Sequence, residues 1–320
     1  MDYMPSATVI IPTYNRGKTL SKCIDSILQQ DYPQDKFELI IIDDGSTDDT
    51  HELLKKYEKK PGFSYFFQKN KGPSSARNLG INNSRGEIIC FIDDDCIAEK
   101  NWLKNIVKPF SDENVGGAGG KIIADAPQTL IEKYCEKSKF FEQARFIDVM
   151  VIGANAAYRR DILLALRGFD EFFRTGEDTD LGLQIRLKGK KLAYTSDAII
   201  YHNHRSNYRS ITKQMRGYGK GYASLNKKYT KNFRPWPRIR IQTYSLIRKI
   251  IVTHYKILTA FSKKDKTYYA LEPFLDISIT IANIMGLLEG TLNRQKYPGQ
   301  QIHSELDFVK KANLPRGWGT

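Results

Sequence analysis

Three consecutive carboxylates, Asp93-Asp94-Asp95, directly follow the apolar run Glu87-Ile-Ile-Cys-Phe-Ile92. Like charges this close repel one another unless a cation compensates them. Hard oxygen ligands suit Mg2+ or Mn2+, and a metal held by one or two carboxylates completes its shell with phosphate oxygens. An isolated acidic triplet reads equally well as a solvated turn. Here a second acid pair, Asp43-Asp44, follows another apolar run, Phe37-Glu-Leu-Ile-Ile-Ile42, and the repetition favours binding. A carboxylate at Asp44 can accept hydrogen bonds from a nucleobase edge or cap the next helix, although Ser46 or Thr47 is available as that cap. Further on, Glu177-Asp178 follows Gly176 and precedes a helical stretch beginning near Thr179. At a helix N-terminus the dipole favours an ionised carboxylate, which can project into a cleft as a proton acceptor or simply cap the helix. His202 and His204 end a strand-like segment, where imidazole serves either packing or ligation.

Alternating strands and helices must position these groups. Ala7-Thr-Val-Ile-Ile-Pro12 reads as a strand, and Leu20 to Gln30 as a helix with Leu20, Cys23, Ile24, Ile27 and Leu28 on one face. Phe37 to Ile42 is a second strand, Thr47 to Tyr57 a helix, Phe63 to Gln68 a short strand, and Ala76 to Asn83 a helix. Glu87 to Ile92 is a further strand. Short apolar runs separated by helices imply an α/β fold with a mostly parallel sheet covered on both faces. In such sheets ligands lie beyond the carboxyl ends of the strands, where both acid clusters fall. Strand-like segments follow at Val115 to Ile123, Val151 to Tyr158 and Lys191 to Ile200, with a helix at Leu181 to Leu187.

The chain has 320 residues, 41% hydrophobic and 27% charged, which excludes disordered, collagenous and low-complexity classes. Cys23, Cys90, Cys96 and Cys135 have neither CxxC spacing nor a paired framework, so structural zinc and a disulfide scaffold are not expected. The first apolar run, Ala7 to Ile11, is too short for a signal peptide, and a cytoplasmic location is expected. The net charge of +14 is unevenly spread: residues 1–204 hold 28 Lys/Arg against 30 Asp/Glu, whereas residues 205–320 hold 22 against 6. A near-neutral body thus carries a basic, aromatic, mainly helical last third that faces something anionic.

Several strings together carry a resemblance. Val9-Ile-Ile-Pro-Thr-Tyr-Asn-Arg16, Ile41-Ile-Asp-Asp-Gly-Ser-Thr-Asp48, Gly72-Pro-Ser-Ser-Ala-Arg-Asn-Leu-Gly80 and Phe91-Ile-Asp-Asp-Asp95 are followed by Gly153-Ala-Asn155, Gly168-Phe-Asp-Glu171 and Gly176-Glu-Asp-Thr-Asp-Leu181. In order and spacing, residues 7–204 resemble inverting family 2 glycosyltransferases of the GT-A fold. The resemblance implies a nucleotide-sugar-binding half in residues 1–100, an acceptor-binding half in 101–204, and a C-terminal region, 205–320, without a recognised motif. It implies that Asp44 contacts the nucleotide base beside Pro12, Thr13 and Tyr14. Arg16, Arg77, Asp93, Asp94 and Asn155 would also bind the nucleotide sugar, with Arg77 facing the diphosphate or pairing with the acid cluster. Asp93 and Asp95 would be the outer members of a metal-binding DxD motif, with His202 nearby holding Mg2+ or Mn2+. Asp178 would be the general base, with Glu177 and Asp180 as nearby alternatives.

The reaction implied is transfer of a sugar from a nucleotide diphosphate donor, a UDP-sugar by default, to an acceptor hydroxyl in envelope polysaccharide, glycolipid or glycoconjugate synthesis. A sugar nucleotidyltransferase would have a Gly-rich loop where Pro12-Thr-Tyr-Asn-Arg16 stands, and a glycoside hydrolase would not need the strand-end acid pair. A non-catalytic binding module would not need Asp44, Asp95 and Asp178 together. The last third reads as a surface for an anionic membrane. Ile247, Ile250, Ile251, Leu258 and Phe261 share a helical face, Arg248, Lys249 and Lys256 lie off it, and Trp236, Arg238 and Arg240 are near. Phe274 to Leu288, 15 residues including Asp276, is short for a membrane span. The alternative is packing on the body or a homodimer. Nucleic acid is not an expected partner.

Overall fold

The computed structural model of the chain describes residues 3–139, 141–229, 236–260, 265–293 and 295–299; Phe261 and the side chains of Trp236, Arg238 and Leu258 lie outside this description. β1 (Ala7–Thr13) and β2 (Phe37–Asp43) pair in parallel, with Thr13 opposite Asp43. They are joined by α1 (Gly17–Leu28), which buries Leu20, Cys23, Ile24 and Ile27, the face its i, i+3, i+4 spacing predicts. The chain continues through α2 (Thr50–Lys55) to β3 (Phe63–Phe67), which lies parallel to β2. Then α3 (Pro73–Asn83) leads to β4 (Ile88–Ile92), parallel to β1 on its other side. Ile10, Ile40, Ile42, Ile89 and Phe91 form one buried cluster with Ala76 and Ile81 of α3. Burial on both faces removes the need for polar alternation, so these strands read as continuous apolar runs.

The remaining sheet elements are β5 (Cys96–Ala98), β6 (Val115–Ala124), β7 (Asn155–Arg159) and β8 (Lys191–His202). They are interleaved with α4 (Trp102–Val107), α5 (Leu130–Lys137), α6 (Arg160–Ala165) and α7 (Glu177–Leu187). The sheet has eight strands in the order β3-β2-β1-β4-β7-β6-β8-β5. β7 runs antiparallel to both β4 and β6, β6 and β8 are parallel, and β5 is antiparallel on β8. Because β1 is flanked by β2 on one side and β4 on the other, the strand order reverses there. A crevice opens at such a switch point, beyond the carboxyl ends of β1 and β4.

β6 owes its glycines to close crossings. A Cβ on Gly120 would lie 2.2 Å from the Ala198 carbonyl oxygen and 2.4 Å from the Asn155 amide nitrogen. Gly120→Ala should therefore destabilise the fold by about 1–3 kcal/mol, the usual range for overpacking. A lowered urea midpoint at unchanged slope is the expected readout; an unchanged midpoint would show that β6 can move away.

By internal contacts the chain forms two units: Met1–Asp125 with Phe141–Asn203, and Ala126–Phe140 with His204–Thr320. The second contains α5, α8 (Tyr208–Tyr229), α9 (Trp236–Ala260) and α10 (Lys266–Leu292). Thr129 and Glu132 close a reciprocal capping box at the start of α5. Its Ile131, Tyr134 and Cys135 pack with Ile211 and Met215 of α8 and with Leu275, Ile279 and Ala282 of α10. Backbones approach closely where α8 meets α10, since a Cβ on Gly219 would lie 2.2 Å from the Asn283 carbonyl oxygen.

Candidate active site

Two loops beyond the strand ends are laced together. Asn15 adopts a left-handed conformation, φ 53°. Its backbone N–H donates to Ser46 Oγ at 2.9 Å, and its side-chain oxygen accepts from the Thr47 N–H at 2.7 Å. Ser46 and Thr47 are thus engaged outside the helix and do not cap α2, contrary to expectation. The residue at the cap is Asp49, which makes no side-chain capping bond, while Asp48 just before it accepts from the Thr50 N–H at 3.1 Å. Buried Asp44 accepts from Gln68 Nε2 at 2.7 Å, the Lys71 N–H at 2.9 Å and the Gly72 N–H at 2.8 Å. Of the roughly four lone-pair positions on an ionised carboxylate, these leave about one to face the crevice beside half-buried Pro12 and exposed Tyr14.

The acid triplet follows β4 and divides among four side-chain partners. Asp94 accepts from Thr13 Oγ at 2.7 Å. Burial first, then the neighbouring Asp95 charge, pushes its carboxyl up to about 7. Asp95 pairs with Arg16 Nη1 at 3.1 Å and lies 3.5 Å from His202 Nε2. Asp93 receives Arg77 Nη2 at 3.2 Å. Candidate ligand atoms of Asp95, Cys96 and His202 all fall within 4.8 Å of one another. Cys96 and His202 are opposite each other across the β5–β8 ladder, and Phe141 packs its ring 5.0 Å from the imidazole. The carboxylate oxygens of Asp95 and its two neighbours match Mn2+ or Mg2+ in donor type, and the His202 nitrogen adds a further donor. Burial holds the Cys96 thiol well above its ordinary range, away from the thiolate that would favour a softer metal. After burial, the Asp95 charge is the next cause that raises Asp94, and a cation there would offset it. The residues present therefore fit a divalent metal.

Arg77 connects this cluster to the carboxylate pair on α7. It is 5% exposed. Its Nη1 lies 2.9 Å from Glu177 Oε1, its guanidinium carbon 5.5 Å from the centre of the Phe169 ring, and its buried Nε has no hydrogen-bond partner. Both terminal nitrogens thus engage protein carboxylates, so the pairing alternative for Arg77 is the arrangement adopted. Gly153 leaves room for this: a Cβ there would lie 3.0 Å from Nη2. α7 begins after Gly176, whose φ of 89° suits glycine. Asp178 is thereby placed at the second helical position, not at the cap, and its Oδ1 accepts from the Thr179 N–H at 2.7 Å. Burial, and after it the charge of Glu177, raises the Asp178 carboxyl above its ordinary range, while Arg77 acts in the opposite direction.

Thr13 with Asp94, Arg16 and His202 with Asp95, and Arg77 with Asp93 and Glu177 thus form three bonded groups that meet at the acid triplet. Asn155 does not enter the crevice. It is fully buried on β7, its oxygen accepts from Trp102 Nε1 at 2.8 Å, and its amide nitrogen donates to the Lys121 and Ala198 carbonyls at 3.0 and 2.9 Å. These bonds tie β7 to its neighbours and leave its amide nitrogen no free donor. His204 belongs to the second unit. Sequence reasoning missed Cys96 as a neighbour of His202 and Gln68 as a partner of Asp44. Gln68 ends the β3 apolar run as Asp44 follows the β2 run, and this equivalence was the available signal.

Comparison with known proteins supplies the remaining observations. The profile of glycosyl transferase family 2 matches residues 8–167, and that of glycosyl transferase family group 2 matches residues 88–282. The chain is similar to glycosyltransferase AglE of Haloferax volcanii, 28% identical over 224 residues that cover 68% of this chain and 73% of AglE. It is also similar to the GalNAc(5)-diNAcBac-PP-undecaprenol beta-1,3-glucosyltransferase of Campylobacter jejuni, 27% identical over 288 residues, covering 87% of this chain and 89% of that enzyme. Among solved structures, the mannosyltransferase PcManGT from Pyrobaculum calidifontis in complex with GDP-Man and Mn2+ superposes with a TM-score of 0.66. At 19% identity, with 92% of this chain and 89% of that one covered, the likeness is one of fold.

Proposed function

This chain belongs to glycosyl transferase family 2 and is a glycosyltransferase, and we propose that it catalyses metal-dependent, inverting transfer of a sugar from a nucleotide diphosphate donor to an acceptor hydroxyl. The observation that carries the mechanism is the Arg77 bridge, which ties the Asp93 end of the acid cluster to the Glu177–Asp178 pair. One displacement needs a proton acceptor on the acceptor side and charge stabilisation on the leaving side. Asp178, raised by burial and by Glu177, takes the proton from the acceptor hydroxyl. Asp44, pre-oriented by two backbone N–H groups and Gln68, receives the base edge next to Pro12, Thr13 and Tyr14. Asp95 and His202, with Asp93 beside them, would hold Mg2+ or Mn2+, which supplies positive charge for the departing diphosphate.

UDP-sugars are the default donor, by analogy with the family, and an envelope polysaccharide, glycolipid or glycoconjugate is the product class. A lipid-linked acceptor is supported by the Campylobacter relative, whose name specifies an undecaprenol-linked substrate. We assign the reaction to the cytoplasmic side, at the inner face of the cell membrane.

Incubation of the protein with a panel of UDP-, GDP- and dTDP-sugars tests the reaction class. Release of nucleoside diphosphate supports transfer, whereas pyrophosphate release with a nucleoside triphosphate would replace it by nucleotidyl transfer. Excess chelator should abolish turnover, and added Mn2+ or Mg2+ should restore it. Full turnover in chelator would overturn the metal role of Asp95 and His202.

A further inference from the structure

α9 is built with its polarity reversed. On a helix packed against a protein in water, the apolar stripe faces the neighbouring helix and the polar stripe faces solvent. On α9 the inward stripe is polar: Gln242 bonds Asn283 at 2.6 Å, Lys249 bonds Thr280 Oγ at 2.9 Å, and Lys256 reaches Glu272 and Asp276 at 3.2 and 3.3 Å. The opposite stripe carries Tyr244, Ile247, Ile251 and Tyr255, which are 72%, 50%, 69% and 71% exposed. These positions recur every three or four residues and therefore form one continuous face. α10 packs an apolar side, with Leu275, Ile279 and Ala282, against α5 and α8, turns Asp276 and Asn283 toward partners on α9 and α8, and leaves Phe274 and Met285 exposed along a further side.

We propose that the outward apolar faces of α9 and α10 are a docking surface for an anionic lipid bilayer. The inference rests on the polarity of these helices and on charge, and it stands apart from the transfer chemistry. An apolar face of this extent is unfavourable in water, and it becomes favourable when inserted among acyl chains. Charge selects the occupant. α9 contains five Lys/Arg and no Asp/Glu, with Arg240 and Arg248 exposed beside the apolar stripe. A second copy of α9 set against the first in a two-fold contact would bring like charges together. Anionic headgroups supply the opposite charge, and tyrosines suit the headgroup layer. The depth follows from the same residues. α10, with 27 residues, has the length and apolar composition to cross a membrane, and 44% of its apolar window is buried against the protein. Arginines flanking the α9 stripe are costly at the bilayer midplane and favourable at its surface, which sets α9 in the interfacial layer.

The test is flotation of the full chain with vesicles of equimolar phosphatidylcholine and phosphatidylglycerol, and with phosphatidylcholine alone, at low salt. The wild type should float with the anionic vesicles and far less with the neutral ones. Ile247→Asp with Ile251→Asp, both surface changes, should weaken the vesicle affinity by roughly tenfold or more per isoleucine while circular dichroism and thermal unfolding stay unchanged. Arg248→Ala should lower binding to anionic vesicles selectively. Absence of flotation with anionic vesicles, or equal flotation of the double variant, would overturn the surface. Equal flotation on neutral vesicles would overturn its selectivity for anionic lipid. A soluble dimer by light scattering that the double variant converts to monomer would give the face to a second copy instead.

Discussion

Asp178→Asn should reduce sugar transfer by roughly 10²–10⁴-fold, the usual contribution of a general base, while leaving the fold and the affinity for nucleotide intact. The amide keeps the shape of the carboxylate and can still accept from the Thr179 N–H, but it cannot take a proton. Isothermal titration with a nucleoside diphosphate, beside initial rates, separates the two effects; near wild-type turnover would move the base to Glu177. The pH dependence has a definite sign. Burial and the neighbouring Glu177 raise the Asp178 carboxyl, so the active, ionised form accumulates only as pH rises through that elevated value, and the acid limb of the rate profile should lie above the ordinary carboxylate range. Stability moves the other way. A carboxyl raised on folding stabilises the native state below its unfolded value near 4, and that contribution is lost as pH rises through the folded one. The site therefore gains its working charge at the expense of the fold, as perturbed catalytic groups do.

Arg77→Met should be the most destabilising single change in the site, by roughly 3 kcal/mol. Removing one partner of a buried ion pair costs about 3–5 kcal/mol because a buried charge is left uncompensated. The lower end applies because the side chain of Asp93 is 34% exposed, while that of Glu177 is 12% exposed. The loss should show in the urea midpoint and be smaller in Arg77→Lys, which restores charge without the two-pronged geometry. A Met variant as stable as the wild type would mean that Asp93 and Glu177 find water or a cation instead. Arg77 also holds α7 relative to the β4 loop, so the surviving folded fraction should transfer sugar slowly even at saturating donor.

Much of this network is legible in the amino-acid sequence. β1, β2 and β4 announce themselves because strands covered on both faces have no need of polar residues until they reach the sheet edge, where Asp43, Asp44 and Asp93 begin. The partners of Arg77 are not legible there, since they lie 16 and 100 positions away along the chain and helix periodicity says nothing about which carboxylates α3 meets. Asn155 falls within a recognisable string, yet its amide serves the sheet; only the positions of Trp102, Lys121 and Ala198 reveal that. β5, three residues long, is too short to show any period, and it exists because β8 offers it an edge. α5 has a clear capping box, but nothing in residues 126–140 signals that they pack with helices beginning some seventy positions later.

The pairing of β5 with β8 has a consequence for how the protein is made. The loop carrying Asp93, Asp94 and Asp95 is held on one side by β4 and on the other by β5, and among the described residues β8 is the ladder partner of β5. About 100 residues separate Asp95 from His202, and at a synthesis rate of ~5–20 residues per second that interval lasts about 5–20 s. A nascent chain therefore completes β1, β2 and β4, the elements that emerge first from the ribosome, well before it can close the carboxylate loop against its last strand. During that interval three adjacent negative charges and the open edge of β5 are exposed to the cell, and every release of the chain before residue 202 leaves a sheet that folds in part but cannot assemble its charge centre.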